Sequence, residues 1–224
     1  MALQNIGALV YLPDEKKIER YTADSMESFD EIDAYWMQRE GLLFYPFDRS
    51  KQAYFFSNDP NENTITEFDL SPNEPLTQLE YETSVYLARA DMETGDLEKV
   101  VLARNEIIQG QFDPEESFQK AVKKYPNSYG YYVNIGPEVW VGASPELLLH
   151  YADGVVYTVA LAGTKSLSEE FTHKEHEEQK MVAQFIEEKL SKIGLINFTK
   201  SEVQEATFGD IKHLKTAYTA QADK

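Results

Sequence analysis

Short apolar runs divided by turn residues fill the first part of the chain. GALVYL (7–12) reads as an apolar strand, and the turn residues PDEKK after it lead into a return strand. SMESFDEIDAYWMQ (25–38) has a mixed pattern and is expected to form a short helix. GLLFYPF (41–47) and QAYFF (52–56) flank DRSK and predict a hairpin. The stretch 57–75 is dense in Asn, Pro, Ser and Asp and reads as a surface loop or linker.

The periodicity then changes. In 76–95, Leu79, Glu82, Val85, Tyr86 and Arg89 recur at helical spacing, and Gly95 is a natural stop. KVVLARNEIIQ (99–109) is β-branched and predicts a strand. A second helix over 113–125 opens with Asp113, Pro114 and Glu116, a capping box with proline in the first turn. SYGYYVNIG and EVWVGAS are strands on either side of Gly136-Pro137, and VVYTVALAG (155–163) is another. A long helix covers Lys174–Lys192, with Thr172 and Glu175 as its capping box. No element is assigned to the last 22 residues, from Val203 onward. Strand groups separated by helices predict an α+β fold with antiparallel sheets flanked by helices. The expected division is an N-terminal set of strands and a loop (1–75), then a domain over 76–224.

Composition narrows the function classes. The 224 residues are 42% hydrophobic and 12% aromatic, enough for a sizeable core, so the net charge of −18 does not signal disorder. That charge repels nucleic acid and anionic membranes, and the expected setting is the cytoplasm. An anionic substrate would then need a locally positive site or a metal ion. There is no cysteine, which excludes disulfides, zinc–thiolate centres and thiol catalysis. The N-terminus lacks the pattern of a signal peptide, and no stretch has the length of a membrane span.

Three charged residues stand out. On a strand, Lys99 shares a face with Val101 and Ala103, while Arg104 lies on the other face. Lys99 is either a strand-end lysine with its head in water or a partly desolvated general base. Glu146, in WVGASPELLL, is either a carboxyl held protonated against an apolar wall or an ordinary carboxylate in the first turn of a short helix. Glu178 precedes Met181, Val182 and Phe185 at helical spacing, on or near the apolar face. There it needs a partner: a lysine, water or a bound cation. Glu175 is accounted for by the cap. In ALAGTK (160–165), backbone N–H groups and the Thr164 hydroxyl at a glycine-containing turn could hold a carboxylate. His173, His176 and His213 have no metal-ligand spacing and read as surface or helix-end residues.

GDLEKVVLAR (95–104), WVGASPELLL (140–149), ALAGTK (160–165) and KEHEEQKMV (174–182), in this order, resemble the chorismate-binding enzymes. This family includes isochorismate, salicylate, anthranilate and aminodeoxychorismate synthases. The resemblance runs from about Leu76 to Leu214 and implies part of the fold of the anthranilate synthase large subunit. It is closest to the isochorismate synthases, in which water attacks C2 of chorismate and the C4 hydroxyl leaves. The resemblance implies Lys99 as general base, Glu146 as general acid, Glu178 as one of two Mg²⁺ ligands, and Ala162, Gly163 and Thr164 as the lining of the substrate site. Ammonia-using relatives carry glutamine where Lys99 stands, so lysine implies water as nucleophile. Aminodeoxychorismate synthases carry a nucleophilic lysine where Ala162 stands, which sets them aside. Salicylate synthase chemistry, or a non-catalytic binding module, are the alternatives. The implied pathways lead to menaquinone or siderophores.

Two departures shape the expectations. Gln179 stands where the family usually has histidine. The family's later motifs, including the second metal glutamate, are not found in these residues, so the chain is expected to be a fragment, inactive by itself.

Overall fold

The computed structural model describes residues 7–22, 26–29, 38–46, 53–57, 75–136 and 138–222. The chain forms two units, each drawn from two stretches: 1–72 with 111–145, and 73–110 with 146–224.

In the first unit, β1 (Gly7–Leu12), β2 (Lys17–Thr22), β6 (Tyr129–Asn134) and β7 (Val139–Ser144) form an antiparallel sheet in the order β2-β1-β6-β7. The continuous apolar run of β1 reflects burial on both faces. Leu9 and Tyr11 pack on Phe118 of helix α2 (Pro114–Lys124). Ala8 packs with Tyr54, Phe56, Val133 and Ile135. A second sheet has the order β3-β5-β4, from Met26–Phe29, Ala53–Ser57 and Gly41–Phe44. The β4–β5 hairpin is the one expected, with its turn outside the described residues. Met26–Phe29 is a strand where a helix was expected, because it finds the edge of β5. The rest of that expected helix, and nearly all of the 57–75 loop, also lie outside the described residues.

The pairing of β1 with β6, Gly7 opposite Asn134, corrects the expected division at 75/76. It draws 111–145 into the unit of the N-terminal strands. Asp113 Oδ1 accepts from the Glu116 N–H at 3.0 Å, as the sequence implies, but Glu116 then turns to Lys120 at 2.8 Å instead of closing the box.

The second unit holds helix α1 (Gln78–Thr94), helix α3 (His173–Lys192) and a sheet in the order β10-β12-β9-β8, with β11 also on β12. These strands are β8 (His150–Ala152), β9 (Val155–Ser166), β10 (Phe198–Lys200), β11 (Gln204–Phe208) and β12 (Ile211–Gln221). The unassigned tail thus supplies the hairpin β11–β12, turned at Gly209 with φ +58°. Along β12, Lys212, Leu214, Thr216, Tyr218 and Ala220 are buried in strict alternation. Val156, Ala160, Tyr218 and Leu190 centre the core between this sheet and α3.

Helix α1 stops at Gly95, φ +82°, as expected, and starts at a capping box of Thr77 with Glu80 that the sequence reading did not name. None of its described residues is buried. The expected strand 99–109 is not formed: among the described residues no strand pairs with it, and Val101 is 79% exposed. Its β-branched composition favours a pleated surface, but a strand exists only through a neighbour's hydrogen bonds. Among the described residues no helix is long and apolar enough to cross a membrane.

Candidate active site

Helix α3 is fixed to its sheet along one stripe. Glu175, Gln179, the pair Val182–Ala183, Ile186 and Leu190 follow at three- and four-residue steps on the sheet side. Gln179, 1% exposed, donates to the Ala160 carbonyl and to Thr216 Oγ1, both at 3.1 Å, and so ties the helix to β9 and to β12. At the N-terminus, Glu175 Oε2 accepts from the Thr172 hydroxyl at 2.7 Å and the Thr172 N–H at 2.9 Å, while Lys165 Nζ lies 3.5 Å from its Oε1. The hydrogen bonds from Thr172, with help from Lys165, hold the Glu175 carboxyl down at about 2. The sequence assigned Glu175 to this cap, and the structure agrees.

With that stripe seated, Glu178 lies on the neighbouring one, in line with Met181 and Phe185. The Nζ of Lys99 stands 2.6 Å from Glu178 Oε1, across 79 residues of sequence. The two side chains are 27% and 32% exposed, so the pair is half-screened and contributes roughly 1 kcal/mol. Beside it opens a recess of about 480 Å³, with Leu97, Val100, Val101, Met181, Val182 and Phe185 as its apolar walls and Asp96, Glu98 and Lys99 also in its lining. Lys99 is therefore neither a free strand end nor a member of a strand. It is a cation held on an apolar recess by a carboxylate.

Ala162, Gly163 and Thr164 sit within β9, not at its end. The register slips there: Ala162 faces Leu214 and Thr164 faces His213, leaving Gly163 as a bulge with φ +70°. This corrects the expected terminal turn. Gly163 and Ala162 are buried and Thr164 is exposed. The bulge brings His213 Nδ1 within 3.1 Å of Thr164 Oγ1 and 3.2 Å of the Gly163 carbonyl. His213 is thus a half-buried strand residue joined to the ALAGTK segment, not a surface or helix-end residue. Its signal was the alternation of Lys212, Leu214 and Thr216, which marks a strand.

Glu146 lies on the link between β7 and β8 and is exposed, with Leu148 91% exposed two residues on. No short helix forms there, and Leu148 and Leu149 turn to solvent instead of building an apolar wall. Of the three charged candidates, Lys99 and Glu178 are brought together, and Glu146 stands outside their pair.

Among the described residues no three His, Asp or Glu side chains form a set that could hold a metal ion. Glu178 is a single carboxylate, and its Oε1 is already engaged by an ammonium. A hard divalent cation takes six or more oxygens, so these residues do not by themselves make an Mg²⁺ site.

The family model described as chorismate binding enzyme matches residues 43–224. Anthranilate synthase component 1 of Acetivibrio thermocellus is 25% identical over 109 residues, 46% of this chain and 22% of that protein. A Bacillus anthracis protein assigned as the 2,3-dihydroxybenzoate-specific isochorismate synthase DhbC superposes with a TM-score of 0.75 at 18% identity, over 98% of this chain and 69% of that one. The menaquinone-specific isochorismate synthase MenF of Escherichia coli gives a TM-score of 0.65 at 14% identity, over 98% and 65%. The chain therefore spans about a fifth of the sequence relative and about two thirds of the structural neighbours.

Proposed function

The chain belongs to the chorismate-binding enzymes, and from that premise we propose that it carries part of the active site of an isochorismate synthase. The observation that supports this reading best is the lysine–glutamate pair on the apolar recess. Lysine at position 99, where ammonia-using relatives carry glutamine, favours water as the nucleophile. In the proposed reaction, Lys99 serves as the general base toward the water that bonds to C2. Glu146 gives a proton to the C4 oxygen, the C4–O bond breaks, and water leaves. One water enters and one departs, so the conversion is an isomerisation. The proposed substrate site uses the Ala162–Gly163–Thr164 bulge, where the Thr164 hydroxyl offers a hydrogen bond to a carboxylate.

Mg²⁺ is the cofactor we propose for the whole protein, with Glu178 as one of its carboxylates. When bound it would offset the charge of the ring carboxylate. No step is routed through it, because the described donors do not complete its shell. For the same reason the 224-residue chain alone is expected to turn over chorismate at a rate near background.

The test is product analysis after incubation with chorismate and Mg²⁺, for the chain alone and with the remaining third of the domain supplied in trans. Isochorismate from the combined sample, lost on Lys99→Gln, supports the reading. No isochorismate with both pieces folded would remove it. Salicylate with released pyruvate would replace it by the synthase–lyase reaction.

A further inference from the structure

At roughly 100° per residue, Lys180 and Ala183 stand across the axis of α3 from Glu178. With Gln179 they form one bank of a cleft of about 260 Å³, and the other bank is the link from β10 to β11 with the adjoining face of β12. The floor is buried: Gln179 and Tyr218 are 1% exposed and Thr216 is 4% exposed. The rim is open and carries Lys180, Lys200 and Glu202.

Most polar groups of the cleft are already engaged. Tyr218 donates to Glu187, Lys200 lies 3.1 Å from Glu187, and Lys180 lies 3.7 Å from Glu177. The Ser201 hydroxyl donates to the Glu202 carbonyl and accepts from the Ala217 N–H. Two groups on the floor are left over. Gln179 Oε1 is buried and has no hydrogen-bond partner among the described residues. Turning the amide around does not help, because its oxygen would then face the Ala160 carbonyl. Thr216 Oγ1 accepts from Gln179 Nε2, and its own proton has no acceptor among the described residues. A spare acceptor thus adjoins a spare donor. The amide nitrogen lies 3.1 Å from Thr216 Oγ1, which limits the separation of the two oxygens to roughly 5.4 Å, so one ligand atom can reach both.

We propose that this cleft binds a small uncharged molecule through a hydroxyl group that donates to Gln179 Oε1 and accepts from Thr216. A hydroxyl carries both a proton and lone pairs, so it satisfies the two groups together. Water has the same chemistry, but the cleft is far larger than the roughly 30 Å³ that one water fills. Ala183, Val203 and the Tyr218 ring supply apolar surface for the carbon part of the ligand. The rim demands no ligand charge: each lysine has a carboxylate beside it, and Glu202 adds a negative group. The site lies away from the Lys99–Glu178 pair and does not depend on the reaction proposed there.

Phenol is the probe, beside fluorobenzene, a ring of similar size without the donor, and benzoate, a charged ring. Each is titrated into the 224-residue chain and followed by ¹H–¹⁵N NMR. Phenol is expected to shift the amides of Ala183 and 200–203 saturably, and to bind about tenfold or more tighter than either of the others. Thr216→Val, checked for folding by circular dichroism, should cut the preference for phenol over fluorobenzene by about threefold or more. The comparison of ligands on the parent chain stands by itself if that variant does not fold. Equal binding of phenol and fluorobenzene would overturn the proposal, as would the absence of a saturable phenol shift, which leaves water as the occupant. Tighter binding of benzoate would make the ligand an anion and overturn it too. Shifts centred on Lys99, Met181 and Phe185 would move the ligand to the other side of α3, with the same result.

Discussion

Two stripes of helix α3, one residue apart in register, have opposite fates. The stripe through Glu175, Gln179 and Leu190 is dry and hydrogen-bonded to two strands. The stripe through Glu178, Met181 and Phe185 is open, and its charge is met by a lysine from a distant loop. The first stripe fixes the rotation of the helix, and that rotation sets where the second one points. Stability and chemistry are thus divided between two faces of one element, and each can be altered with limited effect on the other.

Substitutions can break this division in graded steps. The largest loss is expected from Tyr218→Ala, on β12 beneath α3, where the ring is 1% exposed and its hydroxyl bonds Glu187 at 3.0 Å. Burial and that hydrogen bond push the phenol upward, so it remains a donor at neutral pH. Removing it should cost about 3–5 kcal/mol in urea denaturation. A cost under 1 kcal/mol would mean that the seat of α3 lies elsewhere.

Gln179→Ala should cost about 1–2 kcal/mol. The figure stays modest because Gln179 Oε1 has no partner of its own in the described residues to lose. Retained melting temperature would sever the link between this side chain and helix placement.

A third probe is acid. Glu175 titrates at about 2 in the folded chain against an ordinary 4.5. As pH falls, the unfolded state takes up that proton first. The contribution is therefore complete above about 4.5 and drains away between there and about 2. Denaturation midpoints measured from pH 6 to 2.5 should fall less steeply for Glu175→Gln than for the parent. Parallel curves would remove Glu175 as the cause.

The smallest stability effect is expected on the open stripe. Glu178→Gln should shift stability by no more than about 1 kcal/mol, read in urea denaturation. A large loss of stability there would erase the division between the two faces.

What could be read from the sequence divides along a similar line. Caps and periodicities are local, so α1 was legible from its helical spacing and Gly95, and α2 and α3 from Asp113 and Thr172 with their downstream glutamates. Pairing is not local. KVVLARNEIIQ has the composition of a strand but pairs with no edge among the described residues. Met26–Phe29, at the start of the helix expected over 25–38, is a strand because β5 offered an edge. The candidate site shows the same split. The helical spacing put Glu178 in line with Met181 and Phe185, and the resemblance named Lys99. Their contact across 79 residues is a tertiary fact that neither source could supply. His213 was missed because a lone histidine carries no pattern, and its neighbours come from a bulge that is visible only in register.

That bulge also sets a spacing. A methyl group built at Gly163 would sit 3.0 Å from the Glu175 Cβ and 3.3 Å from its carbonyl oxygen, on a backbone whose φ of +70° already disfavours a side chain. A single hydrogen atom is therefore the shim between strand and helix. Any bulkier replacement would lift the first turn of α3 from the sheet, and the tilt would carry along the rod to the carboxylate one turn further on.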